Sequence, residues 1–336
     1  MEPATLPVFE DCSFFTHYPE EIVSTFFEQE NNNLKVRMYS DQLETRPMLI
    51  EMIHEIAHFY NYSVQTVHLG VHILDVYMDK YILSPLEDHQ KLTGLICLIL
   101  AAKSEDLDDS VPSIKDFLHV VNLTDDLGVD FNFKDDISPL RLKEAYKKFS
   151  RMYAQLEFLV FESLEFNLQR PTAATFIEVF RSAIVTATDV ADVKCGEEEE
   201  QRTLECMQGA ANDYVKQFLD LIISINDFAN ILPSKLTAAI IGATRKLLKI
   251  KNYWNDHLSA LLKQSVDDIR PLLIELIGMR MSIAYGLQSQ SPDTADVDMI
   301  ESGYISEPSF SSSDGDPKSP AEKKRRLDDQ RPEIVY

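Results

Sequence analysis

Residues 91–106 read KLTGLICLILAAKSED, and this stretch decides the fold. No charged side chain occurs between Leu92 and Ala102, so a helix formed here is apolar on every side. Such a helix belongs at the centre of a bundle, because a helix at the surface keeps one polar face. As a helix the apolar run is about 16 Å long, which is too short to cross a bilayer. The stretch therefore predicts the central helix of a helical domain.

The same pattern returns 144 residues further on, where Lys235–Ile240 reads KLTAAI against KLTGLI for Lys91–Ile96. Each copy follows a proline, Pro85 or Pro233, and opens the most apolar helix of its half. Both copies are also rich in small residues, which let neighbouring helices pack closely around a central one. We interpret the echo as two tandem copies of one helical domain.

Helical periodicity dominates the rest of the chain. Apolar residues recur at three- and four-residue steps, and the sequence shows no alternating strand patterns bounded by glycine turns. We predict helices at approximately 19–30, 46–60, 64–81, 92–102, 113–121, 139–165, 172–185, 203–227, 233–248, 254–262 and 266–281. The acidic run Glu197–Glu200 is predicted to be a solvated loop.

Composition excludes several classes of function. The 336 residues include 10 glycines, and no two of them are closer than eight residues, which excludes glycine-rich phosphate loops and the dinucleotide fingerprint. The excess of 55 Asp and Glu over 32 Lys and Arg argues against binding to nucleic acid. The four cysteines form no CxxC motif, and the first ten residues do not resemble a signal peptide. We expect a soluble, reduced, intracellular protein without a cofactor or a membrane contact.

The composition changes near Gln288. Residues 281–317 contain nine Ser, three Pro and seven acidic residues but no Lys, Arg or His, which predicts a disordered tail over 288–336. A basic cluster follows, and it is either a solvated charge run or a nuclear import signal. Its residues are Lys323, Lys324, Arg325 and Arg326. Ser291 and Ser319 each precede a proline and are candidates for proline-directed phosphorylation.

One short motif suggests metal chemistry. His54, Glu55 and His58 form HExxH, which on a helix places two imidazoles on one face and a carboxylate beside a zinc-bound water. A zinc hydrolase needs a third ligand, for which only a distant acid such as Asp75 or Glu87 is available. The alternative is that the motif is the polar face of helix 46–60. We keep the zinc hydrolase as the minor alternative, because a five-residue motif is short enough to occur by chance.

Lys103 directly follows the apolar run and emerges near a helix C-terminus. The helix dipole favours a cation at this position, which is a sufficient structural reason for it. The same ammonium is placed to donate a hydrogen bond to a partner protein. The local sequence leaves both interpretations open.

Several spaced motifs together resemble the cyclin family over roughly residues 20–285. Arg46–Glu55 (RPMLIEMIHE) is similar to the opening of the cyclin box, and Val71–Met78 (VHILDVYM) is similar to its second helix. Leu92–Asp106 is similar to the third helix, and Leu164–Thr172 (LEFNLQRPT) is similar to the boundary after the fifth. Several motifs in the right order are far more specific than HExxH.

The resemblance implies an all-α fold of two tandem five-helix cyclin-box domains, with an N-terminal helix and a disordered C-terminal tail. We predict an N-terminal segment with a short helix over 1–37 and a kinase-binding cyclin box over 38–170. A second cyclin-fold domain over 171–287 and the tail over 288–336 complete the chain.

The resemblance also implies a function. Cyclins are non-catalytic regulatory subunits that bind and activate a cyclin-dependent Ser/Thr protein kinase in cell-cycle control, by moving its regulatory helix inward and ordering its activation segment. The expected assembly is a heterodimer in the nucleus, with the cytoplasm as a second location. Substrate or inhibitor proteins are further candidate partners. A cyclin-fold adaptor that activates no kinase is the alternative.

Particular residues take roles from the family pattern. Lys103 and Glu157 correspond to the pair that hydrogen-bonds the kinase main chain. Arg46 and Asp75 correspond to a structural ion pair, in which loss of one partner would strand a buried charge.

A substrate groove of many cell-cycle cyclins, which binds RxL elements, is only partly matched. Met48, Leu49 and Glu55 fit the groove. Met52 stands where the family has Trp, Glu87 where it has Arg, and Lys91 where it has Gln. We expect these departures to weaken or change substrate docking.

Overall fold

Eleven α-helices occur in residues 20–37, 41–106, 139–190 and 197–284, which are the residues that the computed structural model describes. The first half of the chain contains α1 (Glu20–Glu30), α2 (Arg46–Tyr60), α3 (Val64–Lys80), α4 (Glu87–Glu105) and α5 (Pro139–Ser163). The second half contains α6 (Ala173–Val179), α7 (Arg181–Ile184), α8 (Glu197–Ser224), α9 (Pro233–Leu247), α10 (Asp256–Leu262) and α11 (Val266–Ala284). These four ranges contain no β-strand and lie within one compact unit, residues 1–293.

The turn between α2 and α3 shows how local sequence sets the helix ends. Asn61 ends α2 in the left-handed conformation, with φ 55°, and the Tyr62 N–H donates to the Ala57 carbonyl at 2.8 Å. Ser63 then caps α3, because its hydroxyl accepts a hydrogen bond from the Thr66 N–H at 3.2 Å.

The first half is built around α4. Every residue from Leu92 to Ala102 is buried, and α4 packs against α2, α3 and α5. At Gly94 the neighbouring helix comes so close that an added Cβ would lie 2.9 Å from Cε of Met52. The predicted central helix is confirmed.

The second half repeats this arrangement around α9, which is buried from Leu236 to Arg245 and packs against α6, α8, α10 and α11. Thr237, the counterpart of Thr93 in the echo, donates its hydroxyl hydrogen bond to the Ala173 carbonyl of α6 at 3.1 Å. Thr93 instead donates to the His89 carbonyl of its own helix. The echoed sequence therefore marks the core of each half.

Two local predictions differ from the structure. The acidic run Glu197–Glu200 is not a loop but the first turn of α8, where the helix dipole favours negative charge. The predicted helix 172–185 is divided at Phe180, whose φ of −101° departs from helical geometry. The predicted helix 113–121 and the predicted disordered tail lie outside the described residues.

The stretch from α1 to Arg37 contacts both halves. The ring of Phe27 lies 5.1 Å from that of Phe176, and Glu30 accepts two hydrogen bonds from Ser234 in the second half. Seven residues after Glu30, the guanidinium of Arg37 pairs with Asp79 of α3 at 3.1 Å. This segment therefore ties the first half to the second.

Candidate functional site

The pair Lys103 and Glu157 meets at the surface where α4 ends against α5. The Lys103 ammonium lies 2.8 Å from Glu157 Oε1, and the Tyr153 hydroxyl donates to the same oxygen at 3.4 Å. Lys103 is 47% exposed and Glu157 28% exposed, so solvent or a partner reaches both groups. The structure thus brings together two residues that lie 54 positions apart in the sequence.

An aromatic cluster follows Glu157 along the chain, at the end of α5 and in the turn after it. Phe158 and Phe166 are each 55% exposed, and both rings contact neighbours, with Phe158 to Phe166 at 5.9 Å and Phe161 to Phe166 at 5.3 Å between centroids. Phe166 has φ 58° in the turn after α5, where its N–H donates to the Phe161 carbonyl at 3.1 Å. We call Phe158, Phe161 and Phe166 the aromatic patch.

Sequence analysis missed the aromatic patch as a functional feature. One signal for it was available, because the buried side of α5 is formed by Tyr153 and Val160, seven residues apart. Phe158 lies five residues after Tyr153 and two before Val160, which places it on the side of the helix away from the core. A large aromatic residue on the solvent side of a helix, next to a predicted binding residue, indicates an interaction surface.

Polar contacts border the patch. The Tyr81 hydroxyl donates to Glu162 Oε2 at 2.9 Å, and the Lys80 ammonium lies 3.4 Å from Glu165 Oε1. Both contacts join the end of α3 to the end of α5. An apolar centre with a charged border is the usual organisation of a protein–protein interface.

The predicted structural pair lies in the interior of the first half. Arg46 donates from Nε to Asp75 Oδ1 at 2.6 Å and from Nη2 to Oδ2 at 2.9 Å, and the residues are 2% and 5% exposed. The pair ties the first turn of α2 to α3. Burial raises the pKa of the Asp75 carboxyl, and the hydrogen bonds and charge of Arg46 offset only part of that effect.

The residues of the predicted substrate groove lie on α2 and the start of α4. Leu49 is completely buried, whereas Met48 and Met52 are half-buried and Glu55 is exposed. Glu87 and Lys91 pair with each other at 2.5 Å between Oε1 and Nζ. Only the two methionines therefore present apolar atoms of this set to a docking peptide.

The HExxH residues do not meet a third metal ligand. His54 is half-buried, and Glu55 and His58 are exposed on α2. Within the described part of the chain, no group of three or more His, Cys, Asp or Glu side chains is arranged to hold a metal ion. The tail residues Ser291, Ser319, Lys323, Lys324, Arg325 and Arg326 lie outside the described residues.

Family models match nearly all of the two helical halves. The model for the cyclin N-terminal domain matches residues 21–169, and the model for the cyclin C-terminal domain matches residues 171–290. The chain therefore belongs to the cyclin family, and its fold is two tandem cyclin domains. The finer boundaries at 37, 170 and 287 stay predictions.

Individual relatives are proteins named cyclin-J. The chain is 28% identical to Cyclin-J of Xenopus laevis over 71% of its own length and 56% of that protein, and 26% identical to Cyclin-J of Homo sapiens over 68% and 52%. Cyclin-J-like protein of Mus musculus is 24% identical over 74% and 58%. The segments Asp109–Pro112 (DSVP) and Pro171–Ala174 (PTAA) also resemble cyclin J. The chain thus spans little more than half the length of these relatives.

A solved structure of the yeast RNA polymerase II CTD kinase complex contains a chain with a TM-score of 0.45 and 11% identity, covering 86% of this chain and 89% of that one. A likeness of this size adds nothing to the family assignment. None of the helices in the described part of the chain has the length and apolar character needed to span a membrane.

Proposed function

We propose that this chain is a non-catalytic regulatory subunit that binds and activates a cyclin-dependent Ser/Thr protein kinase in cell-cycle control. The observation that carries the proposal is the accessible ion pair of Lys103 and Glu157, which the exposed rings of the aromatic patch follow along the chain. Membership of the cyclin family supports it.

The ion pair suits recognition of main-chain groups. One of the three Lys103 donors bonds Glu157, which leaves the others for carbonyl oxygens of a partner. Both bonds that Glu157 accepts fall on Oε1, and its Oε2 has no partner among the described residues. Charged donors and acceptors form the stronger, directional class of hydrogen bond. Recognition of backbone atoms would make binding depend on the shape of the kinase more than on its side chains.

The aromatic patch supplies the apolar part of the surface. Burial of Phe158 and Phe166 against a kinase helix removes apolar area from water, at about 25 cal/mol for each Å². Aromatic anchors of this kind carry a large share of the affinity in many interfaces. We propose that the patch receives the regulatory helix of the kinase and holds it inward, while the ion pair sets its position.

The test is copurification of kinase from cells with the full chain as bait, followed by an assay of the recovered kinase activity. Lys103→Ala combined with Glu157→Ala should reduce that activity at least tenfold, because the directional contacts are lost. Phe158→Ser combined with Phe166→Ser should reduce the amount of kinase recovered. Helical circular dichroism should stay unchanged in both variants, since all four residues are exposed or half-exposed.

A matched control is the surface pair Glu178 and Arg181, which meet at 2.6 Å in the second half. Alanine at both positions also removes one exposed ion pair but should leave kinase recovery and activity unchanged. Full kinase activity with the variant that has alanine at Lys103 and Glu157 would contradict the assigned surface. Kinase recovered without activity, from the unaltered chain, would establish the adaptor alternative instead.

We propose nuclear localisation through the cluster Lys323, Lys324, Arg325 and Arg326. Four adjacent cations in a segment of low apolar content support this assignment. A fluorescent fusion should lose its nuclear enrichment when the four residues become alanine, and should keep it when Ser291 and Ser319 become alanine. Unchanged nuclear enrichment of the four-alanine protein would leave the cluster as a solvated charge run.

We propose that RxL substrates dock weakly on this chain. Met52 replaces the flat aromatic residue of the groove, and the charges of Glu87 and Lys91 pair with each other. Met52→Trp should strengthen binding of an RxL peptide severalfold in a titration with the full chain. Tight binding by the unaltered chain would contradict the proposal.

A further inference from the structure

One stretch of the second half differs from the rest of this acidic chain. Residues 228–255 contain no Asp or Glu and are the longest acid-free stretch in a chain with 55 acidic residues. The stretch contains one arginine, the buried Arg245, and four lysines. Three of these lysines fall within six residues at the end of α9. We call Lys246, Lys249 and Lys251 the lysine patch.

The turn after α9 determines where the patch lies. The Lys249 N–H donates to the Lys246 carbonyl and the Ile250 N–H donates to the Arg245 carbonyl, each at 3.0 Å. Lys249 occupies the left-handed position of this turn, with φ 59°, where glycine is the usual residue because a Cβ is strained there. A lysine that is kept despite this strain favours a role for its charge.

The buried Arg245 holds the bend 249–253 in place. Its guanidinium donates to the Asn252 carbonyl at 3.1 Å and to the Tyr253 carbonyl at 3.0 Å. The Lys246 ammonium lies 5.5 Å from the centroid of the Tyr253 ring, which packs the start of the patch against its end. The patch is therefore preorganised, and little ordering is needed before it binds a ligand.

Three side chains of the bend are available to a partner. Lys249, Lys251 and Asn252 are exposed, and none of these side chains forms a hydrogen bond or an ion pair with a described residue. The helix dipole explains a cation in the last turn of α9, where Lys246 lies, but its effect falls off beyond that turn. The Cα atoms of Lys249 and Lys251 are two residues apart and so within about 7 Å of each other.

The position of these groups indicates a compact anion as the ligand. The N–H groups of residues 248–250 are all used at the helix end, so recognition depends on side chains. The chain as a whole has 55 acidic residues against 32 Lys and Arg, so it repels a long polyanion or an anionic membrane. A phosphate group concentrates nearly two negative charges and three acceptor oxygens at one point. Two neighbouring ammonium groups and one amide can bond all three oxygens.

We propose that the lysine patch binds a phosphoserine or phosphothreonine segment of a partner protein. The ammonium groups of Lys249 and Lys251 and the side-chain amide of Asn252 bond the phosphate, and the charge of Lys246 adds attraction. This surface belongs to the second half alone and does not depend on the proposed kinase-binding surface, which lies in the first half. It would retain partner proteins that already carry a phosphate.

Three labelled peptide pools test this surface. Each has random uncharged residues around one fixed position, which is phosphoserine in the first pool, serine in the second and glutamate in the third. Each pool is titrated into the full chain, and fluorescence anisotropy measures binding. The phosphoserine pool should bind at least tenfold more tightly than the other two, because phosphate combines higher charge with three acceptors. An RNA oligonucleotide and vesicles of phosphatidylserine and phosphatidylcholine should bind more weakly.

Variants then assign the contacts. Lys249→Gln combined with Lys251→Gln should weaken binding of the phosphoserine pool at least tenfold. The matched control is Lys35→Gln combined with Lys216→Gln, which removes two exposed lysine charges elsewhere and should change the affinity less than twofold.

Lys249→Gly separates the charge from folding, because it removes the strained Cβ together with the ammonium. It should weaken binding of the phosphoserine pool at least threefold without lowering the thermal denaturation midpoint. Equal binding of the three pools, unchanged affinity in the variant with glutamine at both positions, or tighter binding of RNA or vesicles would overturn the proposal. So would the absence of binding by every pool.

Discussion

Each half of the molecule buries one arginine against one aspartate, but the two pairs differ in how fully they are bonded. Among the described residues, Arg46 makes two hydrogen bonds, both to Asp75. Arg245, which is 1% exposed, makes five: two to Asp189 and three to the carbonyls of Ile184, Asn252 and Tyr253. All five guanidinium donors of the second pair are thus used.

The pKa values of the two aspartates are shifted in opposite directions. Burial by itself raises the pKa of both carboxyls, but hydrogen bonds from Arg245 and from the N–H and hydroxyl of Thr186 bring the pKa of Asp189 below its ordinary value. Asp75 receives no such additional donors among the described residues, and its pKa is raised. The number of donors around the carboxylate, more than the presence of an arginine, decides whether a buried aspartate is stabilised in its charged form.

The largest effect is expected from Arg245→Met, which strands the Asp189 charge and three carbonyls at once. We expect a loss of at least about 4 kcal/mol in the free energy of unfolding, because breaking a buried pair leaves an uncompensated charge. Urea denaturation followed by circular dichroism measures it. A loss of less than half this size would show that the five hydrogen bonds contribute little to stability beyond the packing of the side chain.

Arg46→Met should cost less, about 3 kcal/mol at pH 7, because only Asp75 is stranded and its pKa is already raised. Without Arg46 that pKa rises further, so Asp75 takes up a proton in the folded state more readily than in the unfolded state. Stability therefore recovers as pH falls through the folded pKa. Denaturation at pH 7 and pH 5 should show a smaller deficit, relative to the unaltered chain, at pH 5; an equal deficit would contradict the explanation.

The pKa of Asp189 is lowered and that of Asp75 is raised, so Asp189→Asn and Asp75→Asn should change the acid sensitivity of the fold in opposite directions. Asp189, with a lowered folded pKa, contributes stability that is present above the unfolded value near 3.8 and lost as pH falls through the folded pKa. Asp189→Asn should therefore be less stable at pH 7 but lose less on acidification. Asp75, with a raised pKa, favours the folded state as pH falls. The Asp75→Asn protein should therefore lose more stability on acidification than the unaltered chain. Denaturation midpoints between pH 7 and pH 3 distinguish the two slopes.

The smallest effect on stability is expected at the exposed pair. Lys103→Ala with Glu157→Ala should change the free energy of unfolding by about 0.5 kcal/mol, because exposed ion pairs contribute little. The same change should nearly abolish recovered kinase activity. A stability loss of several kcal/mol would show that this pair, like the buried ones, is structural.

Much of the fold could be predicted because its signals are local. Ser63 caps a helix through atoms three residues away, and the apolar run after Lys91 needs no partner to indicate a central helix. The Lys103–Glu157 site came from the family pattern, and the structure adds the 2.8 Å contact. The acidic run after Gly196 misled the prediction, because four glutamates are as favourable in a first helical turn as in a loop.

The rest depends on contacts that spacing does not reveal. Arg245 and Asp189 lie 56 residues apart, and no local pattern links them. Nor does any local pattern show that His68 Nε2 and Asn33 Oδ1 are buried without a partner among the described residues. Sequence periodicity shows which side of a helix is buried, but not whether a buried polar atom finds its partner.

The contacts of α1 also have a consequence for how the chain is made. Glu30 finds its hydrogen-bonding partner, Ser234, 204 residues later. A ribosome adding about 5 to 20 residues per second needs about 10 to 40 s to cover that distance. During that interval the first half can assemble around α4 while Glu30 still lacks its partner Ser234. The hydrogen bonds that fix α1 to the second half can therefore form only after α9 has begun to be made, later than the contacts within the first half.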